Sequence, residues 1–80
     1  MLRITRRDGC LVVEGRVAGP WVAELSRAAE ALLSQNESPS LDLSSVAYVD
    51  HAGAELLRAL EGRMTIRGSG FITEMLRRTL

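Results

Sequence analysis

From residue 10 onward the chain alternates between strand-like and helix-like segments, and few folds accommodate that pattern in so short a chain. Residues 10–17 (CLVVEGRV) and 40–49 (SLDLSSVAYV) are rich in Val and Leu, as strands are. Between them, Gly19-Pro20 breaks the chain, and residues 22–33 place apolar side chains at helical spacing. A strand, a helix and a strand in this order predict a crossover and therefore a parallel pair.

The segment before this unit predicts a hairpin. Residues 2–6 alternate apolar and polar side chains with period two, which indicates a half-exposed strand at an edge of the sheet. Asp8-Gly9 follows and is typical of a tight turn between two strands. Within the second strand, Gly15 indicates a bulge or a close backbone contact.

The segment after residue 50 predicts two more helices and a short strand. The second helix ends at Glu61-Gly62, and its predicted apolar face consists of Gly53, Leu56, Leu57 and Leu60. Residues 64–67 (MTIR) form a fourth strand. The last helix is expected to bury Ile72, Met75, Leu76 and Leu80. The element order is ββαβαβα, so the predicted fold class is α/β, with a mixed four-stranded sheet and helices packed on it.

Length and charge limit the possible functions. Eighty residues predict one domain, residues 1–80. Ten basic and ten acidic residues give zero net charge, which argues against a protein built mainly to hold nucleic acid. Apolar runs are too short to span a bilayer, and no apolar segment follows the N-terminal arginines. We therefore expect a cytoplasmic protein without direct membrane insertion.

The stretch YVDHAGAELLRAL, residues 48–60, raises the question of catalysis because the only His follows an Asp. A triad needs a nucleophile held by the His, and no nucleophile-elbow pattern is present. Zinc needs three or four protein ligands, whereas the chain has one His and one Cys. We therefore expect no enzyme, no metal and no cofactor. Asp50 is predicted to cap the following helix, with His51 exposed in its first turn.

Two further positions invite interpretation. Asp42 lies between leucines in the third strand, where it is either functional or, as we expect, accepts N–H groups in the following turn and fixes a bend at Ser44-Ser45. Trp21 begins the first helix and is either a partner contact or a packing residue; the sequence leaves both open.

The segment LDLSSVAYVDHAG resembles the signature of the STAS domain, the fold of bacterial anti-sigma factor antagonists. The matching residues are Leu41-Asp42-Leu43-Ser44, Val46, Asp50 and Gly53. In phosphorylatable members of that family a serine directly follows the aspartate. Here His51 occupies this degenerate phosphoacceptor position and Ala52 the next, so neither offers a hydroxyl and we expect no working phosphorylation switch.

The resemblance implies a non-enzymatic module that docks on an anti-sigma factor of the histidine-kinase-like ATPase type. The expected partner-binding residues are Asp50, His51, Ala52, Gly53, Glu55 and Arg58. The alternative is an accessory subunit that packs against the ATPase subunit of an ABC transporter, including those that move lipids. The exposed first strand also invites self-association, and the sequence leaves open whether this gives a homodimer.

Overall fold

The structure is a computed structural model that describes residues 2–68 together with residues 70, 72 and 74. Its elements are β1 (Leu2–Arg7), β2 (Cys10–Val17), α1 (Trp21–Gln35), β3 (Ser40–Val49), α2 (His51–Glu61) and β4 (Thr65–Arg67). The four strands form one sheet in the order β1-β2-β3-β4. β1 and β2 are antiparallel, and the other two pairings are parallel. The predicted mixed α/β fold is confirmed.

The hairpin between β1 and β2 has the backbone that its sequence predicts. Asp8 has φ 40 and Gly9 has φ 81, and two consecutive positive φ angles are typical of the turns that match strand twist. β1 pairs only with β2 and lies at an edge of the sheet, as expected from its alternating pattern.

The pairing of β2 with β3 contains two irregularities, and at each β3 carries one extra residue. The first falls between Val12 and Glu14 of β2, and the second between Gly15 and Arg16. Gly15 has φ 100, a backbone that favours glycine. Of the bulge or close backbone contact predicted at Gly15, the structure shows an irregular register beside it, with the extra residue in β3.

Asp42 accounts for the first bulge. Its Oδ1 accepts the Ser44 backbone N–H at 3.0 Å and the Ser44 hydroxyl at 2.6 Å. These bonds, the hydroxyl first, lower the pKa of Asp42 below its usual value. Because the carboxylate binds the backbone two residues on, it holds β3 in the bend that the sequence predicts.

One face of the sheet is covered by the helices, and the buried side chains form one cluster. It combines Leu11, Val13, Val17, Leu41, Leu43 and Val46 of the sheet with Leu25, Ala29 and Leu32 of α1 and Leu57 and Leu60 of α2. On the other face Arg3, Thr5 and Arg16 are exposed. The apolar stripes predicted for both helices therefore face the core, with Val22, Leu33 and Leu56 at its margin.

The C-terminal part agrees with the prediction where it is described. β4 begins at Thr65 rather than at Met64, because the N–H of Met64 donates to the Leu60 carbonyl at 2.9 Å in the turn that follows α2. Gly70, Ile72 and Glu74 are helical, and Ile72 is 1% exposed. The predictions for Met75, Leu76 and Leu80 lie outside the described residues.

Candidate functional site at the junction of β3 and α2

Asp50 separates β3 from α2 and caps the helix. Its backbone is extended, with φ −89 and ψ −176, and its Oδ1 accepts the Gly53 N–H at 2.7 Å. An aspartate in this position satisfies one of the N–H groups that the first turn of a helix leaves unpaired. The capping role predicted for Asp50 is confirmed.

The second carboxylate oxygen of Asp50 reaches another part of the chain. Oδ2 accepts the N–H of Gly19, 31 residues earlier, at 2.9 Å. The backbone N–H of Asp50 donates to the carbonyl of Val17 at 3.1 Å. Asp50 therefore links the beginning of α2 to the loop that leads into α1, and we call this set of contacts, from Asp50 to Gly19 and Gly53, the Asp50 bridge.

The Asp50 bridge favours the ionised form of its carboxylate. The N–H of Gly19, followed by that of Gly53, lowers the pKa of Asp50 below its usual value, because hydrogen bonds to the ionised form favour it. Asp50 is thus a carboxylate at neutral pH, with one N–H bound to each oxygen. It serves the backbone and does not orient His51 as the acid of a triad would.

Gly53 brings α2 against the end of β2. A Cβ built on Gly53 would lie 2.3 Å from the Val17 carbonyl oxygen and 3.0 Å from side-chain carbons of Val17 and Val49. Only glycine permits this approach. Gly53 is therefore a positioning residue, buried beneath the exposed side of α2.

The outer side of α2 is polar and accessible. His51 Nε2 lies 3.4 Å from Glu55 Oε2, and their side chains are 86% and 65% exposed. Ala52 is exposed and Arg58 is half-buried; the Nε of Arg58 is buried, with no hydrogen-bond acceptor among the residues that the structure describes. We call His51, Ala52, Glu55 and Arg58 the α2 surface.

The six predicted site residues therefore divide into two groups. Four form the α2 surface, whereas Asp50 and Gly53 are committed to contacts within the chain. Within the described part of the chain, no three His, Cys, Asp or Glu side chains are grouped so as to hold a metal ion. His51 contacts Glu55 at the surface, and both side chains are accessible.

Three exposed side chains lie beside the junction. The sequence pattern indicates a role for Trp21 but for neither Arg16 nor Tyr48. Trp21 and Tyr48 are 39% and 45% exposed. The guanidinium of Arg16 lies over the Tyr48 ring, 4.9 Å from its centroid. Sequence spacing does not predict this pair, because the partner of Arg16 depends on the bulges of β3.

Replacing Gly53 with Ala is expected to destabilise the fold, because the new methyl group overlaps the Val17 carbonyl. Overpacking of this kind costs roughly 1–3 kcal/mol. Gly62→Ala is the matched control: its Cβ meets only the Ala59 carbonyl oxygen, at 4.0 Å, and we expect a change within about 0.5 kcal/mol. Urea unfolding measures both, and equal stabilities of the two variants would contradict the proposed contact.

Asp50→Asn is expected to flatten the dependence of stability on pH. The folded-state pKa of Asp50 is lowered, so the ionised group stabilises the fold above its unfolded-state pKa of roughly 3.9, and this contribution is lost as the pH falls through the folded-state value. Asparagine still caps α2 but offers only one acceptor oxygen. The urea midpoint should be lower than wild type at pH 7 and converge with it in acid. Glu37→Gln removes one exposed carboxylate as a control, and an equal effect there would refute the assignment.

The family described as "Mlab, STAS domain" matches residues 1–78 of the chain. No curated protein matches it. Among the described residues, no helix combines the length and apolarity needed to cross a bilayer.

Proposed function

This chain belongs to the STAS-domain family, and we propose that it is a protein-interaction module without enzymatic activity. The observation that carries the proposal is the α2 surface, which is accessible and stands on a fixed backbone. Asp50 and Gly53 hold the first turn of α2 against β2. A surface whose backbone is already ordered loses little conformational entropy when a partner binds.

The side chains of the α2 surface suit contact with a folded protein. Ala52 is small and exposed, so a partner backbone can approach the helix closely there. His51 and Glu55 flank it with polar groups 3.4 Å apart, and Arg58 lies half-buried beside them. Such polar groups at the edge of a contact can form hydrogen bonds with a partner.

We propose further that the partner is an ATPase-type anti-sigma factor and that phosphorylation does not regulate the contact. The family resemblance supports this partner, since the relatives dock through the same helix. Neither His51 nor Ala52 carries a hydroxyl, so the modification that adds charge at this position in the relatives has no acceptor here. Binding is then set by the concentrations of the two proteins, in the cytoplasm.

A second candidate keeps the α2 surface and changes the partner. STAS domains without a switch also act as accessory subunits of ABC transporters, including those that move lipids, and pack against the ATPase subunit. The absence of a hydroxyl at His51 and Ala52 favours this candidate too, because a subunit held permanently in a complex needs no phosphorylation switch.

Ala52→Arg should weaken binding of the native partner by about tenfold or more, because a long charged side chain replaces a methyl group in the contact. Affinity capture from the native cell, with quantitative mass spectrometry of the recovered ATPase-type protein, measures the loss. Ala31→Arg is the matched control, since Ala31 is exposed on α1. Undiminished recovery with Ala52→Arg would refute docking through the α2 surface, and the identity of the recovered protein separates the two candidates.

Incubation with the captured partner and ATP should leave the mass of the wild-type chain unchanged. His51→Ser restores a hydroxyl directly after Asp50, and this variant should gain one phosphate if the partner is an anti-sigma kinase. An unmodified His51→Ser variant would favour the transporter candidate. Stoichiometric phosphate on residues 50–55 of the wild-type chain would contradict the absence of a switch.

A further inference from the structure

We propose that Arg16, Tyr48 and Trp21 form a second contact surface that binds an acidic segment of the partner protein, in which a carboxylate lies beside an apolar side chain. We call these three residues the Arg16 patch. This inference rests on the proposed function, because it assumes that the chain binds a protein. It assigns to that partner a chemical character that the α2 surface alone does not specify.

The geometry of β2 and β3 creates the patch. Arg16 pairs with Tyr48 in the parallel ladder, and its guanidinium carbon lies 4.9 Å from the centroid of the Tyr48 ring. The face of an aromatic ring attracts a guanidinium that lies over it. The stacking orients the side chain of Arg16 before any ligand arrives and so lowers the entropy that binding costs.

Trp21 extends the patch around a shallow depression. Arg16, Ala18, Gly19, Pro20 and Trp21 line that depression together. Trp21 and Tyr48 are the two large hydrophobic side chains that remain exposed in the described part of the chain, at 39% and 45%. Trp, Tyr and Arg are the residue types most enriched where binding energy concentrates in protein interfaces.

Charge identifies the kind of partner. Among the described residues, Arg16 has no carboxylate within 4.0 Å, whereas Arg3 pairs with Glu14 at 3.8 Å and Arg63 with Glu30 at 2.7 Å. The carboxylate of Asp50 is also engaged, by the backbone of its bridge. The guanidinium of Arg16 is therefore available, and its planar set of N–H groups fits a carboxylate with two parallel hydrogen bonds.

The position of the patch allows one partner to contact it together with the α2 surface. Gly19 lines the depression and donates its N–H to Asp50, the residue that begins α2. The Asp50 bridge thus fixes the distance between the two surfaces. A nucleic acid is the weaker choice, because the chain has zero net charge and such ligands are held mainly by cationic fields.

Selection from a random peptide display library on the purified chain tests the proposal. The recovered peptides should carry Asp or Glu beside an apolar or aromatic residue, and they should shift the Trp21 indole N–H resonance. Arg16→Gln should weaken their binding about tenfold or more, as expected when one partner of a charge pair is removed. Arg3→Gln is the matched control on the same sheet face. Tyr48→Phe, which keeps the ring under Arg16, should bind as wild type, and thermal unfolding checks that each variant is folded.

Several results would overturn the proposal. The selection contradicts it if no peptide is enriched above the support, or if the recovered peptides are not enriched in acidic residues. The variants contradict it if the peptides bind Arg16→Gln and Arg3→Gln equally. Displacement of the peptides by an oligonucleotide, or by a second copy of the chain, would point to a different partner. If Ala52→Arg abolishes capture of the native partner while Arg16→Gln leaves peptide binding intact, the proposed function stands and the Arg16 patch does not.

Discussion

The carboxylate of Asp50 joins the two places where helices begin. Each of its oxygens accepts one backbone N–H, from Gly53 in α2 and from Gly19 before α1, while its own N–H binds the end of β2. Both helices are thereby fixed relative to the same strand end, where Gly53 also packs against Val17 and Val49. Together with the pairing of β2 and β3, the Asp50 bridge sets the relative position of the α2 surface and the Arg16 patch.

Asp50 and Gly53 act on the same turn by different physical means. Asp50 supplies attraction, through hydrogen bonds that also keep it ionised, and Gly53 supplies room, since any side chain would collide with the carbonyl of Val17. In this chain, these two residues of the family signature therefore have a structural role: they hold the first turn of α2 at the end of β2. We propose that recognition falls to their neighbours His51, Ala52 and Glu55, whose side chains are exposed. This division explains how a site can change its chemistry at His51 while its backbone is kept.

The sequence predicted the local features well and the distant ones poorly. Periodicity located the strands and both complete helices, and the Asp42 turn and the Asp50 cap followed from groups two and three residues apart. The bond from Gly19 to Asp50 spans 31 residues, and no local pattern encodes it. The stacking of Arg16 on Tyr48 was missed because strand register is a property of two segments together. The contacts proposed for a partner depend on a second molecule and lie outside what one chain encodes.

The two bulges of β3 determine which insertions and deletions this strand can tolerate. Leu41 and Leu43 face the core at odd positions, Val46 does so at an even one, and Val49, opposite buried Val17, returns to an odd one. Each extra residue reverses the side-chain parity, and the second reversal cancels the first. Loss of Ser45, for example, would move Val46 to the exposed position of Ser45 and Ala47 to the buried position of Val46. We therefore expect β3 to tolerate insertions and deletions as compensating pairs.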